Sequence, residues 1–426
     1  MIEIWDSREI SLADIVSRRE AEQPDVSGAV GGILADVRQN GDTAVLAYTK
    51  RFDGANLADM KVTEEELQAA RQQVGESYLR ILADAAENIR IYHQKQLRQG
   101  FTMAEKPGVV MGQKITPLAK VGIYVPGGTA AYPSTVLMNA IPAKIAGVGR
   151  VVMVTPPGQD GKVNAGVLAA AWVAGITEIF KVGGAQAVAA LSYGTGTIPK
   201  VDKIVGPGNL YVATAKRMVY GTVDIDMIAG PSDVLVVADD TANPAFVAAD
   251  MLAQAEHDEL AAAVLVTTSQ ALAGAVKQQL ASQLSTLPRK DIAQASLQAN
   301  GRIIVAQCVQ EAMEIANALA PEHLELCVAD PFALLPVVQN AGSIFLGNNT
   351  PEALGDYYAG PNHTLPTGGT ARFSSPLSVD DFIKKSSFLY YSAGALAKVG
   401  ADVATFADSE GLGGHANSVR LRMDEK

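Results

Sequence analysis

Apolar residues recur at helical spacing through the first hundred positions, and the pattern then changes to alternating strands and helices. Two early stretches, "VSGAVGGILADVRQNG" and "TEEELQAARQQVGESYLRILADAAENIRIYHQKQ", have the spacing of amphipathic helices. From Lys120 onward, a short β-branched run is followed by a Gly-containing turn and then by an Ala-rich helical stretch. Clear copies of the strand and turn are "KVGIYVPGG", "RVVMVTPPG", "EIFKVGG" and "KIVGPGN". This repeat predicts a parallel sheet with helices on both faces.

The strand and helix pattern resumes after Pro231, which predicts a second sheet. Its strand-like runs are "DVLVVAD", "AAVLVTT", "RIIVAQ" and "HLELCVAD", and the junction between the two sheets falls near "AGPSDV". The last fifty residues, with "VDDFIKKSS" and "AGALAKVGADVATFADSEG", are predicted to be helices outside either sheet. The sequence therefore predicts an α/β fold of two Rossmann-like parallel-sheet domains with helical N- and C-terminal extensions.

Domain boundaries follow from these changes of pattern. We expect an N-terminal extension over residues 1–22 and a C-terminal helical extension over residues 378–426. The first α/β domain is discontinuous, and the second is inserted into it. They comprise residues 23–120 with 234–377, and residues 121–233, respectively.

One long segment has neither helical nor strand periodicity. It is "GNNTPEALGDYYAGPNHTLPTGGTARFSS", between Gly347 and Ser375. A structureless loop of this length inside a compact domain is usually either functional or disordered. Its Asp356 and His363 favour function.

Composition excludes several classes of protein. Hydrophobic residues make up 48% and charged residues 19% of the 426 positions, as in an ordinary globular protein. The formal net charge is -11 and no long run of Lys or Arg occurs, which argues against nucleic acid or an anionic membrane as the main partner. Two cysteines are too few for a disulfide framework, and "MIEIWDSREI" lacks the features of a signal peptide. We therefore expect a soluble, cytoplasmic protein.

Two potential metal donors lie near the end of one predicted helix. Asn243 is a good N-cap for this helix, and Pro244 suits its first position. Gln254 and His257, in "LAQAEHDEL", are three residues apart and therefore share one face. An amide oxygen and an imidazole can both bind a divalent metal, but two ligands make no site, and a polar helix end in water is the preferred interpretation of this stretch alone.

Other histidines extend this pattern. His323 follows Glu322 in "LAPEHLEL", His363 lies in "GPNHTLPTGG", and His415 lies in "EGLGGH". His93, in "RIYHQKQ", is interpreted as an ordinary surface or core residue. A tetrahedral zinc site needs about four donors. Gln254, His257, Asp356 and His415 could supply them only if the fold brings these four distant segments together, and zinc signatures such as paired CxxC or HExxH are absent.

Glycine turns give a second, weaker signal. "YVPGGTAAYPS", "VGGAQA" and "VGPGN" each place Gly where a strand ends and a helix begins. Open α/β sheets bind nucleotides at such turns, where backbone N–H groups and a helix N-terminus favour a pyrophosphate. None of the three is a GxGxxG, so a purely structural role as tight connections stays open.

Taken together, these stretches resemble histidinol dehydrogenase, in that family's order and from about residue 20 to the C-terminus. The stretches are "VGIYVPGGTAAYPSTVLMNAIPAKIAGV", "VGGAQAVAAL", "VGPGN", "IAGPSDVLVVAD", "QAEHD", "APEHLEL", "GDYYAGPNHTLPTGGTARF" and "EGLGGHANSV". The resemblance implies a fold related to aldehyde dehydrogenases and a homodimer with a shared active site. It also implies the NAD-dependent oxidation of L-histidinol through an aldehyde to L-histidine, the last step of histidine biosynthesis. One departure is "DELAA" after His257, where some members have Pro-Asp; it touches the helix exit and no matched ligand.

The resemblance also assigns roles to residues. Glu322 and His323 match the acid-base pair, and Tyr124, Gln186 and Asn209 match NAD contacts, one at each Gly turn. The zinc ligands that it implies are Gln254, His257, Asp356 and, from the neighbouring subunit, His415. The substrate contacts that it implies are Ser232, Gln254, His257, His323, Asp356, His363, Glu410 and His415. His323 is the natural base for the alcohol, and Glu322 is the candidate to activate water for the second oxidation.

Three other functions compete with this interpretation. An aldehyde dehydrogenase would need a cysteine nucleophile, for which Cys327 is the candidate, although its apolar strand pattern is typical of a buried structural thiol. A zinc hydrolase would need the metal and a base but no NAD. A metal-binding scaffold would leave the Gly turns and the Glu322–His323 pair without a purpose.

Overall fold

The computed structural model describes residues 2–16, 24–127, 131–228 and 230–424. The chain forms two compact units. The first comprises Met1–Gln96 and Ala119–Phe382, and the second comprises Leu97–Leu118 and Ile383–Lys426.

Strands and helices alternate through most of the first unit, and the elements of both units are numbered together in chain order. The strands are β1 (Ile4–Asp6), β2 (Phe101–Met103), β3 (Val109–Pro117), β4 (Lys120–Tyr124), β5 (Arg150–Thr155), β6 (Ile179–Lys181), β7 (Lys203–Val205), β8 (Asp224–Ile225), β9 (Asp233–Ala238), β10 (Ala262–Thr267), β11 (Arg302–Val305), β12 (His323–Cys327), β13 (Ser343–Leu346) and β14 (Ile383–Tyr391). The helices are α1 (Leu12–Val16), α2 (Ser27–Asn40), α3 (Asp42–Phe52), α4 (Glu64–Gln94), α5 (Pro133–Ile145), α6 (Ala165–Val173), α7 (Gly184–Tyr193), α8 (Leu210–Val219), α9 (Pro244–Ala255), α10 (Gln270–Leu284), α11 (Lys290–Ala299), α12 (Val309–Leu319), α13 (Pro331–Leu334), α14 (Glu352–Leu354), α15 (Ala393–Ser409) and α16 (Gly413–Asp424). Within the described ranges, no helix has both the length and the apolar character needed to cross a membrane.

The first predicted parallel sheet is confirmed, with the strand order β6-β5-β4-β7-β8. The order reverses between β4 and β7, and open α/β sheets bind ligands beside such a reversal, at the carboxyl ends of their strands. Helices α2 and α3 cover this sheet, since Val30 and Val45 are buried in the same core as Val152 and Val188. The sequence-based division groups these helices with the other sheet and did not anticipate this shared core.

The second parallel sheet is also confirmed, in the order β1-β11-β10-β9-β12-β13. Its central strand β9 is buried on both faces: Val234 and Val236 enter one core, and Leu235 and Val237 enter another. A near-continuous apolar run is what burial on both faces requires. Strand β1, from the predicted N-terminal extension, adds the edge next to β11.

The amino edge of this second sheet collects polar side chains. Asp233 and His323 are the first residues of β9 and β12, and these two strands are neighbours. Gln254 lies in the last turn of α9, just before β10. The start of α9 is as predicted, because the Asn243 side chain accepts the Ala245 N–H at 2.9 Å and Pro244 occupies the first turn.

The second unit corrects the prediction for the C-terminus. The segment from Ile383 to Tyr391 is predicted to be helical, but it forms strand β14, paired antiparallel with β3, and β3 pairs in turn with β2. Its Phe and Tyr residues favour a strand, and its partner lies more than two hundred residues earlier in the chain, beyond the reach of a local pattern. The helices α15 and α16 that follow are as predicted.

Replacing Gly206 with alanine is expected to lower the free energy of unfolding by more than about 1 kcal/mol. Gly206 follows β7 with a φ of 113°, and a Cβ there would overlap the Tyr124 carbonyl oxygen. The backbone cannot shift easily, since Asp226 accepts its N–H at 2.7 Å and the Lys216 ammonium donates to its carbonyl at 2.9 Å. Thermal unfolding of the purified variant measures the loss.

A matched control for this change is Gly274→Ala. Gly274 lies inside α10, and nothing stands within 4 Å of the added Cβ. Alanine in a helix interior is favoured over glycine by roughly 0.5–1 kcal/mol, so this variant should unfold at the same or a higher temperature. Equal behaviour of the two variants would contradict the assigned strain at Gly206.

Candidate active site

Glu322 and His323 stand where the chain turns from α12 into β12. The turn is tight, because Ala320 has φ 49° and ψ 61°, a left-handed conformation that costs a residue with a Cβ roughly 1–2 kcal/mol. Glu322 and His323 are then only 5% and 4% exposed. Buried ionisable side chains at the end of a strained turn are typical of a functional site.

Asp233 fixes both members of this pair. Its N–H donates to Glu322 Oε2 at 3.1 Å, and its carboxylate accepts the Glu322 N–H at 2.8 Å. Its carbonyl oxygen lies 3.1 Å from His323 Nδ1. A carbonyl only accepts, so Nδ1 carries a proton, and Nε2 is left as the position that gains or loses one. Nε2 has no hydrogen-bond partner and lies 3.8 Å from Asp356 Oδ1.

Carboxylates crowd around His323. Its Nδ1 lies 3.8 Å from Glu352 and 3.9 Å from Glu322. Burial alone would lower the pKa of His323, but the charges of Glu352, Glu322 and Asp356 raise it well above its usual value. Burial raises the pKa of Glu322 to about 7 and that of Glu352 to about 8. So many acidic groups out of water make this a place where a cation is favoured.

Gln254 and Asp356 reach the same place from α9 and from the long loop. Gln254 is fully buried, and with its hydrogen bonds satisfied its amide nitrogen donates to Glu352 Oε1 at 2.7 Å, while its oxygen lies 2.9 Å from the Asp233 nitrogen and shares that N–H with Glu322 Oε2. Asp356 lies in the π-helical turn Gly355–Ala359, a kind of turn that is frequent at functional sites. Burial would raise the pKa of Asp356, but the nearby histidines lower it, so its carboxylate stays charged.

His257 follows α9 and is exposed at the surface of the unit, with its N–H donating to the Gln254 carbonyl at 3.2 Å. The protein around its ring lowers its pKa, and the Asp356 charge acts in the opposite direction. A neutral imidazole beside a charged carboxylate suits metal binding. Among the described residues, a tighter donor cluster also occurs, with atoms within 4.8 Å of one another: His323, Glu352 and Asp356. It shares only Asp356 with the implied zinc set.

Ser232 and His363 belong to the same neighbourhood. The Ser232 hydroxyl favours the charged form of Glu322 and so opposes the effect of burial on the pKa of this carboxyl. His363 Nε2 is 3.5 Å from the Thr135 hydroxyl in the first turn of α5, and the ring also contacts the Asp356 backbone. Because α5 follows β4 of the five-stranded sheet, His363 links that sheet to the carboxylate cluster. Asp356 and His363 both line a cavity of about 100 Å³.

The predicted NAD contacts lie at the carboxyl ends of β4, β6 and β7. The Tyr124 hydroxyl accepts the Gly184 N–H at 3.0 Å, which ties the first turn to the second. Asn209 caps α8, with its side-chain oxygen accepting the N–H groups of the next turn. Gln186 is 1% exposed, and neither its oxygen nor its nitrogen has a partner. A buried amide without partners costs free energy, so it favours a ligand here. Residues 128–130 of the first turn lie outside the described residues.

Two predicted site residues lie in the second unit. Glu410 ends α15 and His415 lies in the first turn of α16, and both are exposed there. Their roles stay predictions.

Sequence reasoning missed Asp233 and Glu352. The signal for Glu352 is its position four residues before Asp356, which places both carboxylates on one side of a helical turn. The only signal for Asp233 is an acidic residue at the start of an otherwise apolar run. Cys327, the rival nucleophile, is 6% exposed in β12, and burial raises the pKa of its thiol far above its usual value. A buried, protonated thiol is a poor nucleophile.

Buried ionisable groups that face one another are typical of a catalytic site. Together with the two parallel sheets, they indicate an α/β enzyme. Comparison with known proteins narrows this class. Over residues 16–423 the chain matches the family profile described as histidinol dehydrogenase, and it belongs to that family. Membership makes it an oxidoreductase of histidine biosynthesis that acts on a small-molecule substrate.

Individual relatives agree with the family profile. A histidinol dehydrogenase of Geobacillus kaustophilus is 56% identical over 397 residues, covering 93% of this chain and 94% of the relative. One of Clostridium acetobutylicum is 54% identical over 406 residues, covering 95% and 94%. The crystal structure of histidinol dehydrogenase from Elizabethkingia anophelis superposes with a TM-score of 0.94 at 38% identity, covering 99% of this chain and 98% of that one.

Proposed function

We propose that the chain is a zinc-containing, NAD-dependent enzyme that oxidises L-histidinol through L-histidinaldehyde to L-histidine. The observation that carries this proposal is the buried His323 ring, with Nδ1 held by the Asp233 carbonyl and Nε2 unpaired beside Asp356. An alcohol cannot lose hydride until its proton is leaving, and Nε2 accepts this proton when the ring is neutral. A bound Zn²⁺ would favour the neutral ring by offsetting the carboxylate charges that raise the pKa of His323.

Zinc would be held by Gln254, His257 and Asp356, with His415 of the partner subunit as the fourth ligand. Crowded buried carboxylates and a neutral His257 support a cation at this point. His323 and Glu352 lie outside this ligand set, because the free Nε2 of His323 is assigned to the proton transfer and Glu352 accepts the Gln254 amide. When bound, zinc would take the imidazole and amine of histidinol as ligands and orient the carbinol carbon.

NAD would lie along the carboxyl ends of β4, β6 and β7, against Tyr124, Gln186 and Asn209, and accept one hydride in each oxidation. The unpaired amide of Gln186 supports this placement. The link from α5 to His363 brings this edge next to the carboxylate cluster, as hydride transfer requires. Substrate contacts would come from Ser232, His323, His363 and the zinc ligands, with Glu410 supplied by the partner subunit.

A homodimer would complete each site. The outer strand β14 of the second unit supports a dimer, because Phe388, Leu389 and Tyr390 on it are 41%, 68% and 59% exposed. Exposed apolar groups of this size on one strand favour an interface.

Removing zinc is expected to abolish turnover of histidinol, and adding Zn²⁺ should restore it. The reason is that the substrate loses its anchor while the base stays in place. Activity and zinc content are measured on one sample before chelation, after chelation and after refilling. Full turnover in protein shown to be metal-free would contradict the zinc site.

Replacing Glu322 with glutamine is expected to slow the second oxidation more than the first. Only the second step needs a water molecule activated to add to the aldehyde, and the burial of Glu322 raises its pKa to about 7, which suits proton transfer near neutrality. Single-turnover experiments started from histidinol and from histidinaldehyde separate the two steps, and the aldehyde should accumulate in the first. If both steps slowed equally, Glu322 would only position His323.

A further inference from the structure

We propose that Glu352 is a positioning residue that fixes the amide of Gln254 with its oxygen toward the metal. Glu352 is the first residue of α14 and is 3% exposed. Its two carboxylate oxygens lie 2.7 and 3.3 Å from the Gln254 amide nitrogen. The inference rests on the proposed zinc site.

The two polar ends of an amide side chain differ in their ability to bind a metal ion. Its oxygen can bind a cation, whereas its NH₂ group only donates, and a half-turn of the side chain exchanges the two. The ionised form of Glu352, which a bound Zn²⁺ would favour, accepts hydrogen bonds and donates none, so it stabilises only the orientation that turns the NH₂ toward itself. The Gln254 oxygen then takes the Asp233 N–H at 2.9 Å on one lone pair and keeps the other for a cation.

The backbone of Glu352 is also held by a hydrogen bond. Its N–H donates to Glu325 Oε1 at 2.8 Å, and Glu325 is a 1% exposed residue of β12. This hydrogen bond fixes the start of α14, and with it the backbone from which the Glu352 side chain reaches the amide of Gln254.

The same short segment also carries a ligand. Asp356 follows Glu352 by four residues in the adjoining π-helical turn. One segment thus supplies a metal ligand directly and fixes another through a hydrogen bond. Groups that orient metal ligands in this way are commonly worth about 10–100-fold in metal affinity.

The test is the zinc affinity of the full-length protein, measured by competition with a chromophoric chelator. E352Q should raise the dissociation constant for zinc by about 10–100-fold, because an amide at 352 can donate or accept and no longer selects one orientation of Gln254. E352D should do the same, because the shorter side chain keeps the charge but withdraws from the amide. E322Q is the matched control. Glu322 and Glu352 are similarly buried and lie 3.9 and 3.8 Å from His323 Nδ1, respectively. Glu322, however, does not contact the Gln254 amide nitrogen. E322Q should raise the constant by less than tenfold.

A double-mutant comparison separates orientation from a general structural effect. In Q254E the side chain at position 254 is a carboxylate, and either of its oxygens can bind zinc. Adding E352Q to Q254E should therefore no longer raise the dissociation constant for zinc by tenfold or more. The proposal is overturned if E352D binds zinc as the unmodified protein does, if E322Q and E352Q weaken binding equally, or if the cost of E352Q persists in the Q254E background. Zinc binding by the unmodified protein tests the zinc site itself, so failure there is distinct from failure of the role of Glu352.

Discussion

Replacing His323 with asparagine is expected to lower kcat for histidinol by about 10²–10⁴-fold, the usual contribution of a positioned general base. Asparagine can still donate to the Asp233 carbonyl, so the turn into β12 should survive. What is lost is the basic nitrogen Nε2, which lies beside Asp356 and has no hydrogen-bond partner. Both oxidations remove a proton from an oxygen, so both half-reactions should slow. Steady-state and single-turnover rates measure the effect.

The matched control is His93→Asn. His93 is also fully buried, and its Nδ1 lies 2.7 Å from a side-chain oxygen of Gln96, but it belongs to α4 and has no proposed role in the chemistry. This variant should keep its kcat wherever it is folded. A loss of less than tenfold in His323→Asn, with KM raised instead, would make His323 a binding group and not the base.

Mixing two inactive variants is expected to restore activity. His257→Ala removes a proposed zinc ligand from the α9 end of a subunit, and His415→Ala removes a proposed ligand from α16. In a shared two-fold site, each subunit both gives and receives a ligand. A heterodimer of the two variants then has one site that lacks both ligands and one site that is intact.

Activity should therefore reappear on subunit exchange and rise with the fraction of heterodimers, toward one working site in each. Either variant exchanged with itself is the control and should stay inactive. Confirmed heterodimers without activity would place His415 in the site of its own chain and contradict the shared site.

The sequence predicts those parts of the fold that follow from local patterns. The run of β9 is apolar after Asp233 because both faces of the strand are covered, and Asn243 with Pro244 marks the start of α9. Gln254 and His257 stand out through their spacing of three, but the expected shared helix face is wrong, because α9 ends at Ala255 and His257 lies beyond it. Strands β2, β3 and β14 escape this reasoning, because β14 is stabilised by pairing with residues far away in the sequence.

The missed site residues have a related cause. Asp233 and Glu352 matter through burial and through contacts with Glu322 and Gln254, and an acid that becomes buried looks the same in sequence as one that stays in water. The His323 ring is held by the backbone carbonyl of Asp233, and every residue has a backbone carbonyl. Only the tertiary packing of β9 against β12 makes it specific.

The most direct test of the proposed function is the amount of NAD reduced per molecule of histidinol in a reaction run to completion with zinc-loaded protein. Absorbance of reduced NAD and chromatography of the products supply the two quantities. We expect two NADH and one histidine for each histidinol consumed, since both hydrides leave from the same carbon in the same site. One NADH per histidinol with aldehyde as the product, or oxidation without reduction of NAD, would contradict the account.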